Sequence, residues 1–308
     1  MEQVHAAYKD YLAGCGQAQL HVNSGGTTRL TDFEHMTQRN ERTNVERPIR
    51  VILSKPQGWT LSVEDLLQQD GHFESVRVPE LRADVVGAIQ TLLRDTAHNS
   101  WGFQNSECHE LAKAEVSSVD RIENFRLWRT YANKLAEIAE VTPASVQPAW
   151  TTYGTAQATV LAAQKRELLA GGKLSAAAEE VLAFHGTTEK IARLIAESGF
   201  DFRSARNGLY GLGTYLSTQS CKSHQYTKRG SPEEHTVILA RVVLGRPYVT
   251  KSALGDTVRK PPDGHDSVIA NPGQMAGHPN NHQEHQELVV FDNAQVFPCY
   301  VVRYTAPG

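Results

Sequence analysis

The sequence predicts an α+β fold in which mixed β-sheets, packed or split, carry flanking helices. Short strand candidates dominate beyond residue 180: Val181 to Phe184, Thr214 to Ser217, Val237 to Val243, Glu287 to Asp292 and Pro298 to Tyr304. Each has the length of a strand. One helical pattern, Thr188 to Ser198, lies among them and is closed by Gly199. The 308 residues leave ample core for one large domain or two small ones.

Residues 1–72 read as an N-terminal extension or small module without a functional motif. Gly25-Gly26-Thr27-Thr28 and the polar Gln38 to Arg42 are expected as loops, and Ile49 to Leu53 as a strand bounded by Pro56 and Gly58. Leu61 to Gln69 is a short helix candidate with Ser62 at its N-cap. The main domain, residues 73–308, opens with alternation over Phe73 to Leu81. Helical spacing follows over Val85 to Leu93, then a strand pattern over Ala114 to Ile122. Leu127, Trp128, Tyr131, Leu135 and Ile138 form the next helical stripe. Pro143 to Pro148 breaks the pattern, and the Ala-rich Thr155 to Leu169 is helix-prone up to Gly171-Gly172, so residues 143–180 read as a helical insertion. In the helix from Thr188 to Ser198, Ile191, Leu194 and Ile195 are expected to face inward.

A net charge of −3 gives no footprint for unspecific nucleic-acid binding. Cys15, Cys108, Cys221 and Cys299 lie far apart, which indicates neither a disulfide framework nor a structural zinc site and makes a cytosol-like compartment the default. No apolar run approaches the roughly 18 residues of a membrane span. The expected location is therefore the cytoplasm, with the nucleus or signal-independent delivery into another cell as alternatives. His278, His282 and His285 have helical metal-ligand spacing, but Pro279 and Asn280-Asn281 argue for a loop, so no metal is expected.

Four ordered segments carry chemistry. Phe184-His185-Gly186-Thr187 ends an apolar run at a glycine. Gly211-Leu212-Gly213-Thr214-Tyr215 leads through a polar stretch to Lys222, Ser223 and Tyr226. Glu287 precedes the apolar Leu288-Val289-Val290-Phe291, and Asp292-Asn293-Ala294-Gln295-Val296 follows. Earlier stand Val119 to Asn124 and Leu127-Trp128. In order and setting these resemble the His-Tyr-Glu signature of the poly(ADP-ribose) polymerase (PARP) family of ADP-ribosyltransferases. The resemblance covers roughly residues 73–305, implies that family's fold, and lies nearest to members with a bare catalytic domain.

The resemblance implies transfer of ADP-ribose from NAD, as substrate, to an acceptor. Nicotinamide is already a good leaving group, so the chemistry needs positioning and negative charge near an oxocarbenium-like centre rather than strong acid catalysis. Glu287 is the implied carboxylate, bonding the ribose 2′-hydroxyl and helping to orient or deprotonate the acceptor. Together with it, His185 and Tyr215 make up the implied catalytic set. His185 would bond the adenosine ribose, while the Gly186 backbone and Ser223 would hold the nicotinamide carboxamide, with Thr187 beside them. Tyr215 and Tyr226 would sandwich the ring. Lys222 would orient Glu287 or the acceptor. Phe200 to Leu212 would close over the donor, with Arg203 or Arg206 toward the pyrophosphate or adenine.

The expected partners are NAD and an acceptor protein or nucleic acid, with no membrane, for a monomeric chain. Lys251 to His285, the segment beside the acceptor, holds Arg259 as its only arginine and no Tyr, Trp or Phe. Guanidinium groups are the preferred holders of a second pyrophosphate, so this scarcity favours mono-ADP-ribosylation of protein. RNA or DNA acceptors, polymer synthesis and an inactive NAD-binding module are the alternatives.

Overall fold

Backbone hydrogen bonding organises strands of the described residues into three sheets. The structure, a computed structural model, describes residues 14–48, 75–77, 83–97, 110–141, 174–205, 207–227, 234–270 and 285–306, with Val4, Ala7, Tyr8, Asp10, Tyr11, Pro56 and Trp59. The expected strand at 49–53, the helices at 61–69 and 155–169, the break at 143–148 and the histidines at 278 and 282 lie outside these residues. The chain forms two compact units, Met1–Leu53 and Ser54–Gly308. No helix of the described residues is long and apolar enough to cross a membrane.

The first unit is an antiparallel meander, β1 (Gln19–Ser24), β2 (Thr27–Asp32), β3 (Thr37–Asn40) and β4 (Glu46–Pro48). Here two expected loops are strands. Gly25-Gly26 alone makes the turn, with φ of 58° and 71°, the geometry a two-residue hairpin requires. Thr27 and Thr28 already belong to β2, and Gln38 to Asn40 to β3. Strands whose side chains stay partly solvated carry no apolar alternation, so hydropathy does not reveal them.

The second unit carries two sheets. The first has order β5-β6-β13-β9-β7, built from β5 (Ser75–Arg77), β6 (Glu115–Ile122), β7 (Glu180–Thr187), β9 (His235–Val243) and β13 (Val296–Thr305). The other has order β10-β11-β12-β8, from β8 (Thr214–Leu216), β10 (Pro247–Thr250), β11 (Ser267–Ala270) and β12 (Glu287–Val290). All pairings are antiparallel except β10 with β11, which makes the architecture mixed. Four helices flank them among the described residues: α1 (Ala83–Asp95), α2 (Phe125–Val141), α3 (Glu189–Ser198) and α4 (Ser220–His224).

One apolar cluster draws on both sheets. Val181, Ile238, Ala240 and Val301 of the larger meet Leu216, Ile269, Leu288 and Val290 of the smaller, and Ala192, Ile195 and Ala196 of α3 close it. Burying each such large aliphatic side chain contributes about 1.5–3 kcal/mol. The expected inward face of α3 is corrected here: Ile195 is buried, but Ile191 and Leu194 are 46% and 53% exposed. Ala192 and Ala196 share the core-facing side with Ile195.

The polar residues of the signature segments are structural joints. The Asn124 carboxamide oxygen accepts the Leu127 N–H and starts α2, while its nitrogen donates to Ala196 and Glu197 carbonyls at the end of α3. Asp292 caps a 3-10 turn at Asn293–Gln295. From that turn Gln295 donates to the Val243 and Asp266 carbonyls, linking the end of β9 to the start of β11. Under α2, the Tyr131 hydroxyl donates to Glu180 Oε1 at 2.6 Å, and Arg241 Nε donates to the same carboxylate. Trp128 lies over the Arg241 guanidinium at 5.5 Å.

Removing Arg241 leaves Glu180 charged and buried. Arg241→Leu should therefore lower stability by about 3–5 kcal/mol in urea unfolding followed by Trp fluorescence. A loss of about 1 kcal/mol or less would mean that the pair contributes little.

Candidate active site

A strand's side chains alternate, and on that rule the site assembles. β12 puts Leu288 and Val290 into the core, so Glu287 shares the other face with Val289. Val289 pairs with Tyr215 across β8, which places the phenol ring and the carboxylate on one face of the smaller sheet. β7 is an edge strand, and Phe184 there exchanges backbone bonds with Ser217, N to O at 2.7 and 3.0 Å. Backbone groups two residues apart point the same way. The Gly186 N–H and C=O therefore also point away from β9, toward α4 and the cleft.

α4 approaches β7 closely. A Cβ on Gly186 would lie 1.7 Å from the Ser223 carbonyl oxygen, so only glycine permits the contact. This brings the Ser223 hydroxyl to 2.9 Å from the Phe184 carbonyl, to which it donates. Lys222, on the same short helix, holds its ammonium 3.2 Å from the Glu287 carboxylate and 5.4 Å above the Tyr226 ring. Burial alone would lower the Lys222 pKa, but Glu287 and Tyr226 opposite outweigh it and the net shift is upward.

His185 donates from Nδ1 to the Tyr215 carbonyl at 2.8 Å, since that oxygen only accepts. Burial lowers its pKa from 6.5, against the pull of this bond, so the ring is neutral and Nε2 carries a lone pair. Phe200 meets it edge-on at 5.1 Å. Burial raises the Tyr215 phenol's pKa, which keeps it protonated. Its hydroxyl donates to the Gly211 carbonyl and accepts the Tyr210 N–H, at 2.8 and 2.9 Å, and so pins the loop above it. The same loop is held at its start by Asn293, whose carboxamide oxygen accepts the Phe202 N–H.

These groups line one cleft of about 1170 Å3. His185, Gly186, Tyr215, Lys222, Ser223, Tyr226 and Glu287 all face it. Thr187 and Arg203 do not. Thr187 is buried beside Thr236 of β9, and Arg203 is turned onto Asp201 in two bonds of 2.8 and 3.1 Å. Arg206 lies outside the described residues. The exposed Ile191, Leu194 and Leu209 supply an apolar wall, where the helical pattern alone places Ile191 and Leu194 in the core. An apolar stripe on α3 wider than one core face was the available signal. Among the described residues no group of His, Cys, Asp and Glu could hold a metal ion.

A family model of the poly(ADP-ribose) polymerase catalytic domain matches residues 103–306. A WWE domain model matches residues 2–51. The human protein mono-ADP-ribosyltransferase PARP12 is 27% identical over 198 residues, which cover 62% of this chain and 22% of the relative. Human protein mono-ADP-ribosyltransferase PARP3 is 30% identical over 124 residues, 38% of this chain and 23% of the relative. A probable poly [ADP-ribose] polymerase of Dictyostelium discoideum is 24% identical over 196 residues, 62% of this chain and 44% of the relative. The match thus spans less than half the length of each of these relatives.

Tyr215→Phe keeps the ring and removes both loop bonds. Each such bond contributes about 1 kcal/mol, so losing both should speed hydrogen exchange at the Tyr210 amide roughly thirtyfold. Unchanged exchange would show that the loop is held elsewhere.

Proposed function

The chain belongs to the poly(ADP-ribose) polymerase catalytic domain family, and from that premise we propose that it moves single ADP-ribose units from NAD to protein and releases nicotinamide. One observation carries the reading: the backbone edge of Gly186, unpaired among the described residues, and the Glu287 carboxylate line the same cleft, as do Tyr215 and Tyr226. A carboxamide offers one acceptor and one donor in a plane, which matches the N–H and C=O of a single strand residue. The Ser223 hydroxyl oxygen, whose proton goes to Phe184, can accept a further amide hydrogen. The lone pair of neutral His185 suits a ribose hydroxyl. Arg203 can leave its exposed pair with Asp201 at small cost to meet the pyrophosphate.

In the reaction the bond between C1′ and the nicotinamide nitrogen breaks, and its electrons return to the ring. Positive charge grows on the ribose. Glu287, accepting the 2′-hydroxyl, places negative charge beside it in a partly dry site where that charge acts strongly. The acceptor oxygen or nitrogen bonds to C1′ and gives up its proton, for which Glu287 is the nearby base. Lys222 fixes the carboxylate from the other side.

Single-unit transfer fits the relatives named mono-ADP-ribosyltransferases and the scarcity of arginine at the acceptor side. Incubation with labelled NAD and protein acceptors should give discrete bands. A heavy ladder sensitive to a poly(ADP-ribose) glycohydrolase would contradict the single-unit reading. Glu287→Gln should cut transfer about 10²–10³-fold while leaving the NAD Kd within severalfold. A variant that keeps most of its turnover would remove Glu287 from the mechanism.

His185 has its folded pKa below 6.5 and Lys222 has its raised from 10.5, so neither changes charge between pH 6.5 and 8.5. The NAD Kd by calorimetry should be flat across that window. A tenfold change there would show that a cleft group has been assigned the wrong protonation state.

A further inference from the structure

The catalytic carboxylate sits where the pairing of its strand with β8 runs out. β8 pairs with β12 from Leu288 to Val290, and its strand ends at Leu216, one residue short of Glu287. Gln286, the residue before the carboxylate, has no strand partner on that side among the described residues. Side chains supply its bonds instead. The Ser217 hydroxyl donates to the Gln286 carbonyl at 2.6 Å, and the Gln286 N–H donates to Gln219 Oε1 at 2.7 Å. The Thr218 hydroxyl donates to Gln286 Oε1 at 2.9 Å. One residue further back, the His285 ring meets the Cys221 thiol at 3.2 Å.

We propose that Ser217, Thr218 and Gln219 are positioning residues for Glu287, a side-chain clamp that replaces the missing strand and sets the carboxylate against the donor ribose; this rests on the transferase reading above. Two features make the clamp more than local packing. Both backbone groups of Gln286 are held, so the peptide leading into Glu287 has a fixed plane and the carboxylate a fixed origin. The clamp residues also run directly into α4, which carries Lys222 and Ser223. Ser217 ties the clamp back to β7 through Phe184, one residue from His185. Its hydroxyl also accepts the Gln219 N–H at 3.0 Å, so the segment is internally braced.

A clamp that acts through Glu287 affects the transition state and not donor affinity, since the cleft's other contacts remain. Gln219→Leu should lower kcat by about 10²-fold, the scale of an ångström-sized misplacement, with the KM for NAD unchanged. Gln219→Glu, which keeps an acceptor oxygen, should recover most of it. Thr218→Val, nearly isosteric, should lower kcat in the same sense by less, and serves if Gln219→Leu folds poorly. In a Glu287→Gln background Gln219→Leu should cost nothing further. Equal losses in both backgrounds, or a raised KM with kcat intact, would overturn the clamp. A wild-type chain without transfer would refute the transferase reading instead. The clamp would then be judged on a crystal structure of Gln219→Leu: Lys222 and Glu287 should part from 3.2 Å to beyond ion-pair distance, and an unmoved pair would overturn it.

Discussion

Among the described residues, two sheets of this chain are joined backbone to backbone by one residue pair. Phe184 and Ser217 exchange backbone hydrogen bonds across the gap between the edge strand β7 and the end of β8. Everything in the cleft is measured from that junction. His185 and Gly186 follow Phe184 directly, Tyr215 precedes Ser217 by two residues, and Lys222 and Ser223 follow on the next helix. The apolar cluster between the sheets holds them face to face but is indifferent to small slides along the strands. Directional bonds at the junction, and the Gln295 tie at the opposite side, remove that freedom.

The electrostatics of the cleft follow from burial. An isolated carboxylate taken out of water is costly, and Lys222 offsets that cost for Glu287 without neutralising its position at the cleft wall. His185 avoids the cost by remaining neutral. Between them these residues present the Lys222–Glu287 ion pair, the His185 lone pair and the backbone edge of Gly186 to a cleft that Tyr215 and Tyr226 also line. Such a set discriminates by shape and polarity. Little of its strength depends on salt, because Lys222 and Glu287 are mostly shielded.

The sequence revealed the elements that are apolar on both faces. β7, β9, β12 and β13 are nearly continuous apolar runs because they are covered on each side, and α2 shows its stripe because only one face is buried. Elements that rest on polar contacts left no such trace. β3, with Gln38 to Asn40, is half solvated and reads as a loop. α4 is Ser-Cys-Lys-Ser-His, and its burial comes from hydrogen bonds rather than hydropathy. On α3 the periodicity located an apolar surface but not its destination, since a cleft wall and a core present the same side chains. Arg203 shows the reverse case: its place near the donor loop was readable, its pairing with Asp201 was not. The Gln286 clamp joins residues nearly seventy positions apart through polar side chains, and no local pattern encodes it.

We propose that the junction of the two sheets builds a donor site in which Gly186 and Glu287 address opposite ends of one nicotinamide riboside. A crystal structure of the chain with a non-hydrolysable NAD analogue tests it most directly. The account predicts the carboxamide within hydrogen-bond distance of the Gly186 N–H and C=O, the ring between Tyr215 and Tyr226, and the ribose 2′-hydroxyl on the Glu287 carboxylate. A well-ordered analogue bound with its nicotinamide away from Gly186, or with Glu287 remote from the ribose, would contradict it.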